Sequence, residues 1–128
     1  MTGPLRPGED AARAEVAVDL VQAGVHWDAI KVATSLGEAV LDHLADKSGA
    51  VIDDGRHLYW LIRPEAAEEL QLPGAEVLST ATFVAVPAEY RLSRPGIHWR
   101  RTPGENGLHT CPLTLRDALT LVQRNQAR

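Results

Sequence analysis

A chain of 128 residues has room for one domain with one core. Its 45% hydrophobic and 23% charged residues are an ordinary globular composition. There is no run of eighteen apolar residues, which excludes a membrane-spanning helix of the usual kind, and a net charge of −4 excludes the broad positive field of a dedicated nucleic-acid binder. The first ten residues lack the apolar stretch of a signal peptide, so a cytoplasmic location is expected. Cys111 is the single cysteine and can close neither an intramolecular disulfide nor a zinc site by itself.

Taken in chain order, residues 1–9 read as a flexible tail and 10–128 as a single domain. Asp10 to Ala23 carries Val16, Leu20 and Ala23 at helical spacing, with Asp10 to cap the helix and Gly24 to end it. Val25 to Val32 mixes β-formers with polar residues and predicts a strand. Ser35 and Glu38 have capping-box spacing ahead of a helix to about Asp46, with Leu36, Val40 and Leu44 on one stripe and Gly49 as its stop. Two β-rich runs, Ala50–Asp53 and Arg56–Ile62, flank Asp54-Gly55, a strong hairpin signal.

Pro64–Leu70 predicts a short helix, with proline tolerated in its first turn. Pro73-Gly74 is a turn. Glu76–Leu78, Phe83–Val86 and Ile97–Arg101 predict strands, with loops at 87–96 and 102–109. Pro112–Gln123 predicts a last helix, with Leu115, Leu119 and Val122 on one face. The sum is an α+β fold: a mainly antiparallel sheet with helices packed on one face.

Three segments carry a resemblance. Gly55-Arg56-His57-Leu58-Tyr59-Trp60, the run from Gly74 to Ala88, and Gly96-Ile97-His98-Trp99 together resemble the later half of the bacterial primase/polymerase domain, of the archaeo-eukaryotic primase superfamily. The chain also resembles small actinobacterial proteins with His-Trp-Asp near the start and His-Trp near the end. The primase resemblance spans roughly residues 50–120 and implies a nucleotide-contacting role for His57. It also implies an Asp-x-Asp pair for two divalent metals, since residues two apart on a strand share a face. This chain departs there. Asp53 and Asp54 are adjacent, Asp54 suits the turn, and Asp28 stands alone.

The expectation is therefore a non-catalytic interaction or regulatory protein on a degenerate primase-like domain. Its candidate binding residues are His57 and Tyr59 on the 55–63 hairpin and Arg91, Arg94, His98, Arg100 and Arg101 in the 91–101 segment, which contains no acid. A protein partner is preferred to single-stranded nucleic acid or a nucleotide, because one basic loop on a net-negative chain binds phosphate weakly. Replacing Arg100 and Arg101 with alanine is expected to weaken that binding. No cofactor, metal or membrane contact is expected. The alternative is a metal-dependent nucleotide-acting enzyme using His57, with Asp28, Asp53 and Asp54 as remote metal ligands. Trp27, Trp60 and Trp99 read as core residues, or else as a platform for stacked bases.

Overall fold

The computed structural model describes residues 18–126. The expected tail and the first part of the expected 10–23 helix lie outside them. Five strands form one sheet: β2 (Asp28–Ala33), β3 (Val51–Asp53), β4 (His57–Ile62), β5 (Ala75–Leu78) and β7 (His98–Arg101), in the order β5-β2-β4-β3-β7. Every pairing is antiparallel. β1 (Val18–Gln22) and β6 (Phe83–Pro87) form a separate two-stranded antiparallel ribbon. The helices are α1 (Thr34–Leu44), the single-turn α2 (Pro103–Asn106) and α3 (Pro112–Gln126). The α+β expectation holds.

Strand alternation sorts the sheet's side chains into two cores. Ile30, Val32, Val51, Leu58, Trp60 and Ile62 project to one face, where α1 and α3 cover them with Val40, Leu41, Leu44, Leu115 and Leu119. Ala29, Ile52, Leu61 and Trp99 project to the other, joined by Trp27 just ahead of β2, and the ribbon covers them through Val84, with Val21 and Val86 packed alongside. All three tryptophans are buried, which supports the core reading and removes them as a stacking platform. The Trp60 indole donates to Ser48 Oγ at 2.9 Å, and the Trp99 indole to the Pro87 carbonyl at 3.1 Å. That second bond ties β7 to the end of the ribbon.

Several local expectations are corrected. Where a helix was expected to run to Ala23, Val18–Gln22 is β1, paired residue for residue with β6. Leu20, placed on the expected helix's apolar stripe, is instead 72% exposed, while Val21 turns inward. A partner more than sixty residues away decides this segment, and local spacing cannot report it. β2 begins at Asp28 rather than at Val25. α1 starts directly from β2 with no side-chain cap, so the Ser35/Glu38 box does not form. The Thr34 N–H donates to the Arg56 carbonyl at 3.0 Å instead, and Glu38 is taken by Arg100.

A capping box does form at Thr102/Glu105, opening α2 inside a segment read as loop. Gly49 is not the stop of α1, which ends at Leu44. A Cβ there would lie 2.8 Å from the His109 carbonyl oxygen, so glycine lets the 107–109 segment close on the sheet edge. Pro64–Leu70 is a chain of turns rather than a helix, with i to i+3 bonds closing at Ala66, Glu68 and Leu70. The β3–β4 hairpin forms as expected, but its turn is shifted by one residue. Asp54 pairs with His57 and leaves Gly55, at φ +95°, and Arg56 at the tip.

Candidate functional site

The hairpin builds a polar cluster on the ribbon side of the sheet. Asp54 Oδ1 accepts the N–H groups of Arg56 at 2.9 Å and His57 at 2.7 Å, which explains Asp54 as a turn residue. Its other oxygen accepts from the Tyr59 hydroxyl at 2.6 Å and lies 3.9 Å from His57 Nδ1. The His57 and Tyr59 rings meet edge to face, with centroids 6.3 Å apart. Burial raises the Asp54 pKa, but the Tyr59 hydroxyl, the two N–H donors and the nearby imidazole outweigh it, so the carboxyl sits below its ordinary value. Burial and the same carboxylate push the Tyr59 hydroxyl well above the usual range, so it remains a hydrogen-bond donor.

Tyr59 and Asp54 open into a groove of about 250 Å³ between the sheet and the ribbon, whose other walls include Lys31, Leu78, Phe83 and Ile97. Lys31 lies opposite Tyr59 in β4 and Glu76 in β5. It also borders a shallower depression beside His57 and Glu76. Phe83, on the groove rim, is 60% exposed. Leu20 lies diagonally across the ribbon from it on the same face, within reach of a large side chain. Tyr90, 73% exposed, and Leu92 follow in the loop after β6.

The expected site residues are divided by the sheet. Tyr59 lines the groove and His57 the shallower depression beside it, and of the 91–101 segment Ile97 reaches the groove. Arg91 bends back onto the Pro95 carbonyl, and Arg94 is exposed in the same loop. His98 is buried on the helix side, with Nε2 3.6 Å from Asp53 Oδ2 and Nδ1 2.9 Å from the Gly96 carbonyl oxygen. Arg100 forms an ion pair with Glu38 of α1 at 3.1 Å, and Arg101 donates to the Ala45 carbonyl at 2.9 Å. These two arginines strap β7 to α1, away from the hairpin cluster.

The three carboxylates of the enzymatic alternative do not converge. Asp53 faces His98 on the helix side while Asp54, in the turn, bonds Tyr59 on the ribbon side, and Asp53 holds the Gly55 N–H at 2.7 Å. Asp28 pairs with Ile62, at the far end of β4 from the hairpin turn. Among the described residues no group of three His, Cys, Asp or Glu side chains is arranged to hold a metal ion. No described helix is long and apolar enough to cross a membrane.

Sequence reading missed Lys31, Glu76 and Phe83. The signal for Lys31 was present, since it interrupts the apolar pair Ile30 and Val32 on the opposite strand face. That it meets Glu76 depends on the β2–β5 register. No family model, no curated protein and no solved structure matches this chain. The primase resemblance therefore stands on the quoted residues alone.

Proposed function

We propose that this chain is a non-catalytic binding domain that engages a protein partner through the ribbon side of its sheet. One observation carries the reading: the hairpin, the ribbon and Ile97, just ahead of β7, meet in a single groove with Tyr59 and Phe83. Phe83 on its rim and Leu20 diagonally across the ribbon are exposed, as are Tyr90 and Leu92 in the loop that follows β6. Exposed aromatic and aliphatic side chains around a polar cleft are the composition of a protein-docking surface. Lys31 is the one cation beside Asp54 and Glu76 among the described residues lining the groove and the depression next to it, and the chain's net charge is −4, so a polyphosphate backbone finds no broad positive field here.

The test compares partner capture by the wild-type protein with that by Phe83→Ser and by the Arg100→Ala/Arg101→Ala double variant. Capture of the same protein should be lost in the first and kept in the second. Anisotropy of a labelled single-stranded oligonucleotide should stay flat even at low salt. Salt-sensitive oligonucleotide binding that disappears in the double-arginine variant would overturn the proposal in favour of nucleic-acid binding.

A further inference from the structure

At the opposite end of β2 from the hairpin groove lies a second cavity of about 290 Å³, bordered by Gly24, Asp28, Glu65, Glu68, Ser79 and Thr80. We infer that this cavity binds a small organic cation carrying an ammonium or guanidinium group. The inference is independent of the groove and of its partner.

Asp28 is the key residue. It is only 3% exposed, yet it borders the cavity. Its Oδ2 accepts the Glu65 N–H at 2.9 Å, while its buried Oδ1 has no hydrogen-bond partner among the described residues. A carboxylate oxygen removed from water and left without a donor is strongly unfavourable, so the site favours a group that brings N–H donors and positive charge together. Glu65 and Glu68 add two further carboxylates, and Ser79 and Thr80 add hydroxyls.

Among the described residues no lysine, arginine or histidine lines the cavity, and none forms an ion pair with these three acids. Arg63 borders a different depression, with His109 and Cys111. Anions are excluded by charge. A divalent metal is disfavoured because no three of these carboxylates are arranged as a ligand set.

The test is amide NMR of the whole chain, titrated at constant ionic strength with N-methylguanidinium, n-butylammonium and magnesium chlorides. Saturable shifts of the Gly24, Glu65, Ser79 and Thr80 amides are expected with one or both organic cations, and whichever saturates identifies the group. Asp28→Asn keeps an oxygen for the Glu65 N–H and should weaken binding about tenfold or more. Glu68→Gln is exposed and leaves the fold alone, so its expected few-fold weakening carries the test if Asp28→Asn fails to fold. No saturable shift with either organic cation, unchanged affinity in the variants, or the same shifts with magnesium would overturn the inference.

Discussion

The two faces of the five-stranded sheet are closed by different means. On the helix face, branched aliphatic side chains and Trp60 pack against the apolar stripes of α1 and α3, and the ion pair between α1 and the sheet, Arg100–Glu38, is peripheral and exposed. On the ribbon face, two strands replace two helices, the buried set is smaller, and the rim is left open where Tyr59, Asp54 and Lys31 meet Phe83. A helix pair is broad enough to seal a sheet. A two-stranded ribbon is not, and the gap at its side is where polar groups can stand half-buried without losing their partners. The helix face therefore supplies stability, and the ribbon face supplies a surface with chemistry in it.

Substitutions can break this contrast in graded fashion. Trp60→Ala should have the largest effect, because Trp60 is fully buried and its indole also holds Ser48. A loss of about 3–5 kcal/mol is expected, read from the midpoint of urea unfolding. Tyr59→Phe removes only the hydroxyl bond to Asp54 and should cost about 1 kcal/mol in the same assay. That variant also sharpens the comparison through pH. The folded-state pKa of Asp54 lies below its ordinary value of 3.8, so its contribution is complete above that value and is lost as pH falls through the lower folded one. Tyr59→Phe should flatten this acid-side dependence, and an unchanged pH profile would remove Asp54 from the stability of the hairpin. Arg100→Ala should be the mildest, at about 0.5 kcal/mol, because the Glu38 pair is exposed on both sides. A larger loss would make that strap part of the helix-face core.

What could be read in the sequence was whatever depends on neighbours along the chain. The alternation of β4 placed His57, Tyr59 and Leu61 opposite Leu58, Trp60 and Ile62, and the structure keeps that division. The stripe of α3 and the hairpin at Asp54-Gly55 are likewise local facts, set by helical period and by the backbone freedom of glycine. The α+β class follows from them.

Only tertiary structure could decide the rest. Val18–Gln22 is a strand because β6 pairs with it, although Leu20 sits at helical spacing from its neighbours. The Ser35/Glu38 box does not form because the helix starts directly from β2 at Thr34, which puts Ser35 inside it, and Glu38 instead meets Arg100 of β7, sixty-two residues later. Tyr59 was visible as a strand residue, but its groove exists only because β6 of the ribbon brings Phe83, Val84 and Ala85 beside it. The periodicity of one element fixes which side chains share its face, whereas a site needs side chains from several elements. Strand order and register, which bring those elements together, leave no mark on the spacing within any one of them.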